Sequence, residues 1–133
     1  MPKKSIRHIA IAVEDLEKSK QLFSPLFGAA AGETIDVPDQ KIKCCFIETA
    51  GTRIELIQPT EAGTGVAKFL EKRGEGIHHI CLGVNDIEET LKELSDQGIR
   101  LIDEKPRRGA EGHLIAFIHP KSTGGVLIEL EEE

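Results

Sequence analysis

The chain has 133 residues, 39% of them hydrophobic, which suits one compact domain with its own core. A formal net charge of −6 argues against non-specific nucleic-acid binding, which needs a basic surface. No apolar run approaches the roughly 18 residues of a membrane helix, and no signal peptide is apparent. The three cysteines form no CxxC pair, so we expect them reduced and buried. These features predict a cytoplasmic protein without nucleic-acid or membrane partners.

The first half of the chain begins with a predicted strand and helix. Residues 6–13 have the apolar, β-rich character of a buried strand. Asp15 can cap a helix, because its carboxylate can accept bonds from amides of the first turn. Apolar residues then recur at helical spacing, Pro25 is expected to bend or end the helix early, and Gly28 to terminate it.

Irregular structure is predicted next, at residues 29–40, followed by two strands at 42–49 and 53–58 that form a hairpin across a short turn. The connector carries a short helical pattern at 66–73, closed by glycines. The first half therefore has the predicted order β-α-(β)-β-β.

The second half repeats this order. A strand is predicted at 77–84, and Asp86 with Glu89 resembles a capping box at the start of a helix that Gly98 ends. A short strand is predicted at 99–103, and a hairpin ends the chain, with strands at 114–119 and 126–130.

The two halves also repeat in sequence. Residues 6–19 (IRHIAIAVEDLEKS) and 77–90 (IHHICLGVNDIEET) align without a gap, and GTRIEL at 51–56 matches GVLIEL at 125–130. We therefore predict a single α+β domain over residues 1–133, built from module one (about 5–60), a connector (about 61–76) and module two (about 77–131). Each βαβββ module leaves one sheet face to cover, so the modules should pair into a curved eight-stranded sheet around a metal-containing cleft.

Four metal-capable side chains fall at equivalent points of this repeat: His8, Glu55, His79 and Glu129. Two imidazoles and two carboxylates suit a divalent ion such as Co²⁺, Mn²⁺, Ni²⁺, Fe²⁺ or Zn²⁺. Four ligands on an octahedral ion leave two positions open, as a catalytic site requires. A single His or Glu in a strand is more often structural, so the prediction of a metal site depends on the recurrence.

The chain resembles the vicinal oxygen chelate superfamily, also called the glyoxalase/bleomycin resistance superfamily. Within it, the chain is similar to the methylmalonyl-CoA epimerase family. The resemblance rests on the βαβββ repeat, the His/Glu pattern and five segments: 6–17 (IRHIAIAVEDLE), 51–59 (GTRIELIQP), 67–88 (AKFLEKRGEGIHHICLGVNDIE), 104–113 (EKPRRGAEGH) and 119–132 (HPKSTGGVLIELEE).

This resemblance implies metal-dependent epimerisation of (2R)- and (2S)-methylmalonyl-CoA through an enolate. It implies metal ligands at His8, His79 and Glu129, with Glu55 at the fourth position. Co²⁺ is the favoured ion, with Mn²⁺, Ni²⁺, Zn²⁺ or Mg²⁺ as alternatives. The implied substrate is an acyl-CoA, and the implied assembly is a homodimer.

The resemblance also gives Glu129 a role in proton transfer. Some family members carry a second Glu at the position that aligns with Cys44. Because Glu48 lies four residues further along the same strand and so on the same face, we predict Glu48 as the second catalytic residue, with Cys44 as the alternative. Basic and hydroxyl side chains that could bind the substrate lie near the last hairpin: Lys105, Arg107, Arg108, Lys121, Ser122 and Thr123.

Two other functions fit the same fold. A glyoxalase I-like lactoylglutathione lyase would use the same metal positions on a different thiol substrate. A noncatalytic small-molecule binding module typically has an incomplete ligand set, so the presence of all four candidate ligands argues against it.

Overall fold

The structure is a computed structural model that describes residues 3–133. The chain divides into two compact units. The first unit comprises residues 8–78, and the second comprises residues 79–133 together with Arg7 and the described residues before it. The first strand of each unit begins three residues before that unit's main range, and each strand is described below with the unit that contains most of it. The predicted α+β class is confirmed, as is the tandem repetition of the element order.

The first unit is a four-stranded sheet with two helices. Its strands lie in the order β2-β3-β4-β1; β1 runs parallel to β4, and the other neighbours are antiparallel. The elements are β1 Ser5–Ala12, α1 Leu16–Phe27, β2 Ile35–Val37, β3 Ile42–Glu48, β4 Arg53–Pro59 and α2 Gly65–Arg73.

The second unit repeats this topology with one helix. Its strands lie in the order β5-β8-β7-β6, and β5 runs parallel to β8 as β1 does to β4. The elements are β5 Gly76–Val84, α3 Ile87–Asp96, β6 Arg107–Arg108, β7 Leu114–Ile118 and β8 Ile128–Glu132.

Helix α1 has the predicted caps but not the predicted early end. The carboxylate of Asp15 accepts a bond from the Lys18 amide at 3.1 Å, and Gly28 ends the helix with a φ of 67°. Pro25 lies inside the helix. It occupies the last turn, where its missing N–H removes a single backbone bond, so the helix continues to Phe27.

Each sheet packs one face against a helix. In the first unit Val13, Leu16, Cys45, Ile47, Ile54 and Leu56 form this core; in the second unit Val84, Ile87, Leu91, Ala116, Ile118 and Leu130 do so. Because side chains alternate along a strand, the residues between these positions face the opposite side of each sheet. Burial of each large aliphatic side chain stabilises the fold by about 1.5–3 kcal/mol. The core therefore fixes which side chains lie on the other face.

The bracketed edge strand predicted in the first half is confirmed, whereas the short strand predicted at 99–103 in the second half was wrong. Residues 29–40 contain the short strand β2 and a 3₁₀ turn at Pro38–Gln40. The strand predicted at 99–103 is reduced to a single bridge between Leu101 and Ile118. The amides of Ile102 and Asp103 both donate to the carbonyl of Phe117, and this convergence interrupts the alternation of a strand ladder.

The three cysteines are buried and form no disulfide, as predicted. Burial raises the pKa of the Cys45 thiol, so this side chain stays protonated near neutral pH. Within residues 3–133, no helix has the length and apolar character needed to cross a bilayer.

Candidate functional site

The first unit buries a His–Glu pair on the face of its sheet away from α1. His8 lies on β1 and Glu55 on the parallel neighbour β4, where Glu55 pairs with Ala10, two residues beyond His8. The His8 Nε2 and Glu55 Oε1 atoms are 3.2 Å apart, and both side chains are buried. The strand register, rather than a loop, therefore sets this contact.

The second unit builds the same pair from equivalent strands. His79 lies on β5, and Glu129 on β8 pairs with Cys81, again two residues beyond the His. The His79 Nε2 and Glu129 Oε1 atoms are 3.0 Å apart, and both side chains are buried. The repetition seen in the sequence is thus a repetition of side-chain geometry within each unit.

A phenylalanine supports each histidine. The rings of His8 and Phe46 meet edge to face with centroids 5.6 Å apart, and those of His79 and Phe117 do so at 5.4 Å. Each Phe pairs across its hairpin with the Glu of the same unit. Such packing restricts the rotation of the imidazole. The sequence shows the two Phe residues at matching repeat positions, but their supporting role was not predicted.

The geometry of each pair fits a metal ion. Two ligand atoms at about 2.1 Å from one ion and at right angles to each other lie about 3 Å apart. The observed Nε2–Oε1 separations of 3.2 and 3.0 Å match that spacing. Each unit therefore supplies one imidazole and one carboxylate at a spacing that two adjacent coordination sites of one ion allow.

The two predicted proton carriers of the first unit lie in different surroundings. Glu48 is 70% exposed, and its Oε2 atom lies 2.7 Å from the Nε atom of Arg53. Cys44 is fully buried and is flanked in the sheet by Ile35 and Ile57. Glu48 therefore has access to water, whereas Cys44 has an apolar setting.

Arg53 lies on the same face of the first sheet as the His8–Glu55 pair and was not predicted from the sequence. Its guanidinium carbon lies 3.8 Å from the centroid of the Phe46 ring, the same ring that contacts His8. In the register, Arg53 lies between His8 on β1 and Glu48 on β3. Its position two residues before Glu55 on the same strand was the available signal, because i and i+2 share a face.

Arg107, which was predicted to meet the substrate, has a related position in the second unit. Its guanidinium carbon lies 5.9 Å from the centroid of Phe117, and its Nε atom lies 3.4 Å from Oδ1 of Asp103. The other oxygen of Asp103 accepts the amide of Phe117 at 2.9 Å. The Arg107–Asp103 pair is therefore tied to the backbone of β7.

The other predicted substrate-binding residues make local contacts. Arg108 donates to the carbonyl of Gly112 at 2.7 Å, and the Ser122 hydroxyl accepts the Arg100 amide at 2.8 Å. Thr123 donates to the carbonyl of Pro120 within the same turn. Lys105 lines a groove beside α3. These contacts order the loops around β7 and β8.

Comparison with known proteins matches residues 7–117 to the glyoxalase/bleomycin resistance protein/dioxygenase superfamily. An ethylmalonyl-CoA/methylmalonyl-CoA epimerase of Cereibacter sphaeroides is 40% identical over 129 residues, covering 96% of both chains. The crystal structure of methylmalonyl-CoA epimerase from Mycobacterium tuberculosis is 37% identical, with a TM-score of 0.91 over 96% of this chain and 87% of that one. A variant of Streptomyces coelicolor methylmalonyl-CoA epimerase in complex with 2-nitronate-propionyl-CoA is 32% identical, with a TM-score of 0.92 over 99% and 96%.

Proposed function

Because the chain belongs to the glyoxalase/bleomycin resistance protein/dioxygenase superfamily, and to its methylmalonyl-CoA epimerase family, we propose that it interconverts (2R)- and (2S)-methylmalonyl-CoA. We further propose that His8, Glu55, His79 and Glu129 together hold one divalent ion. The observation that carries the proposal is the buried His–Glu pair at ligand spacing in each unit. The pairing of the two units that would bring the four side chains to one ion is part of the proposal.

The donor set suits the chemistry that this reaction needs. Two imidazoles and two carboxylates suit a divalent ion of intermediate hardness, and we favour Co²⁺ from the family resemblance, with Mn²⁺, Ni²⁺, Zn²⁺ or Mg²⁺ as alternatives. When bound, such an ion would supply Lewis-acid stabilisation for the negative charge that develops when the C2 proton leaves. The phenylalanines that pack against both histidines would keep the imidazoles oriented.

Epimerisation needs one group to take the C2 proton and another to return a proton on the opposite face. We assign these steps to Glu129 and Glu48. Glu129 is assigned to proton transfer because the family resemblance gives this carboxylate that role, and it lies buried in the second His–Glu pair. The exposure of Glu48 supports its assignment, because it can exchange protons with solvent. Cys44 is the alternative second carrier.

Basic residues of the chain also support an acyl-CoA as the substrate. A phosphorylated CoA arm must meet local basic groups on a chain with a net charge of −6. Lys105, Arg107, Arg108 and Lys121 follow one another around β6 and β7 and supply such groups. A relative with 32% identity is known in complex with an acyl-CoA compound. The predicted homodimer stays a prediction that sedimentation velocity can test.

The test is exchange of the C2 proton of methylmalonyl-CoA in D₂O, followed by NMR. We expect metal-dependent exchange that His79→Ala abolishes. His78→Ala is the matched control, since His78 neighbours His79 but contacts the Phe69 ring at 5.0 Å, and it should retain exchange. Unchanged exchange in His79→Ala would contradict the metal assignment. Within the same assay, Glu48→Gln and Cys44→Ala distinguish the two candidates for the second proton carrier.

Two further measurements on the same purified protein test the two alternative functions. Conversion of methylglyoxal and glutathione without any C2 exchange would favour a lactoylglutathione lyase. A purified protein that binds neither Co²⁺ nor another divalent ion would favour a noncatalytic binding module.

A further inference from the structure

A polar cluster in the second unit joins the beginning of β1 to the end of β8. The Arg7 Nε atom lies 3.3 Å from Oε1 of Glu131, and the Ser5 hydroxyl donates to Oε1 of Glu133 at 3.2 Å. The Glu131 side chain is only 10% exposed, whereas that of Arg7 is 34% exposed. A buried carboxylate is costly to the fold unless a cation or hydrogen bonds compensate it, and Arg7 supplies that cation.

The glycine at position 83 makes room for this cluster. Gly83 on β5 pairs with Glu131 on β8. A Cβ atom at position 83 would collide with Oε1 of Glu133 and would lie 3.0 Å from Cδ of Arg7. Non-bonded carbon atoms prefer separations of about 3.5–4.0 Å, so even an alanine at this position would displace both side chains. The Arg7 side chain therefore passes Gly83 at a distance that only glycine permits.

The first unit has apolar residues at the equivalent positions. Ala12 pairs with Ile57 there, where the second unit pairs Gly83 with Glu131. Both apolar side chains are buried. The βαβββ module therefore folds without a carboxylate at this point, so the ion pair is not a general requirement of the module. It is a feature that distinguishes the second unit from the first.

Both members of the ion pair are close neighbours of predicted metal ligands along their strands. Arg7 directly precedes His8, and Glu131 lies two residues beyond Glu129. At about 3.3 Å per strand residue, the ion pair begins about 3 Å from one ligand residue and about 7 Å from the other along the backbone. Arg7 belongs to the second unit, whereas His8 opens the main range of the first. The ion pair thus holds the residue from which the His8 strand continues.

We propose that the Arg7–Glu131 ion pair positions His8 relative to Glu129, and so sets the affinity and the coordination geometry of the metal centre. This inference rests on the proposed function, in which both residues are ligands of one ion. Bonds from a metal to nitrogen or oxygen ligands are near 2.1 Å and vary by only about 0.2 Å, so a small displacement of one ligand weakens binding. A buried ion pair adds little net stability compared with apolar side chains, but it specifies one arrangement of the segments that carry it. Arg7 and Glu131 are therefore positioning residues that act through the ligands.

The experiment removes both charges at once, so that no buried carboxylate is left without its cation. The double variant Arg7→Met/Glu131→Leu replaces the ion pair with apolar side chains. The affinity of chelator-stripped protein for Co²⁺ is measured by isothermal titration calorimetry, and the geometry of the bound ion by its visible absorption spectrum. We expect the affinity to fall about 10- to 100-fold, as is typical when a group that orients metal ligands is lost, and the spectrum to change. The metal-free variant should unfold at the same urea concentration as wild-type protein, or at a higher one.

Two further variants are controls. Lys41→Met/Glu61→Leu removes an ion pair of 3.5 Å elsewhere in the chain and should change the Co²⁺ affinity less than about 2-fold. Arg7→Lys keeps a cation beside Glu131. Because the arginine makes a single contact through Nε rather than a bidentate pair, lysine can replace it, and the affinity should fall less than about 3-fold.

The outcomes separate the inference from the function on which it rests. Wild-type affinity and spectrum in Arg7→Met/Glu131→Leu, or an equally large loss in Arg7→Lys, would overturn the positioning role, while C2 exchange by wild-type protein leaves the epimerase intact. A loss of metal-free stability that accompanies the loss of affinity would also overturn it, because the ion pair would then only support the fold. Wild-type protein that binds no Co²⁺ would overturn both the metal centre and the inference.

Discussion

The buried His–Glu pairs predict that the stability of the fold depends on a divalent ion. Glu55 and Glu129 are 5% and 6% exposed, so their carboxylates have lost most of their contact with water. Desolvated carboxylates are costly unless a cation or hydrogen bonds compensate them. An ion that binds the folded chain alone stabilises it by about 2.7 kcal/mol when its concentration is 100 times the dissociation constant.

This free energy corresponds to a measurable shift in melting temperature. For a domain of 133 residues, a change of 1 kcal/mol corresponds to about 3–5 °C, so the expected rise is about 8–13 °C. The assay is thermal unfolding of protein stripped with a chelator and then titrated with Co²⁺. Nickel and zinc should act in the same direction, because the nitrogen and oxygen ligands accept them too.

Two variants show whether the predicted ligands cause the rise. His79→Ala removes one of the four donors and should abolish most of the shift. His78→Ala should retain it, because that imidazole packs against Phe69. The reasoning is refuted if His79→Ala shows the full Co²⁺-induced rise, or if wild-type protein shows none at millimolar Co²⁺.

Three further predictions concern the fold. Ile47→Ala, at a fully buried position, should lower the free energy of unfolding in urea by about 2–5 kcal/mol. Leu22→Ala, at a helix position that is largely exposed, should change it by less than about 0.5 kcal/mol, and equal losses would contradict the core assignment. Asp86→Ala should cost about 1 kcal/mol through loss of the cap on α3, measured in the same way. The raised pKa of the Cys45 thiol predicts that this thiol reacts slowly with a thiol reagent in native protein, and fast labelling would refute the prediction. It also predicts that the free energy of unfolding falls as the pH rises past 9.0, because the unfolded chain then loses the thiol proton more readily than the folded chain.

The strand repeat made the ligand residues predictable from the sequence. His8 and His79 lie at the same point of two matching segments, so the alternation along each strand assigns each histidine to the equivalent face of its own module. The family resemblance is confirmed by matches that span almost the whole chain. The contacts within each pair follow directly, because parallel pairing of the first and last strands of each module sets them.

Features that depend on pairing between strands were not predictable. The sequence shows only that Arg53 shares a strand face with Glu55, whereas its neighbours His8 and Glu48 belong to two other strands. The interruption at residues 99–103 has the same origin, since two amides compete for the Phe117 carbonyl. The continuation of α1 through Pro25 was not predictable for a different reason. A proline disturbs a helix less when it lies near the C-terminal end, and the sequence alone did not show where that end is.

The differences between the two repeated halves have a chemical reason. Equivalent His–Glu pairs can provide equivalent ligands, but a stereocentre presents two different faces, and a substrate bound symmetrically would give no rule for which face loses its proton. An epimerase therefore needs at least one contact that fixes the orientation of the substrate about the metal. Arg53 is one charged side chain in which the two halves differ, because its repeat counterpart is Leu127. The repeated residues are suited to holding the ion, and a charged group without a counterpart in the repeat is suited to orienting the molecule that reacts there.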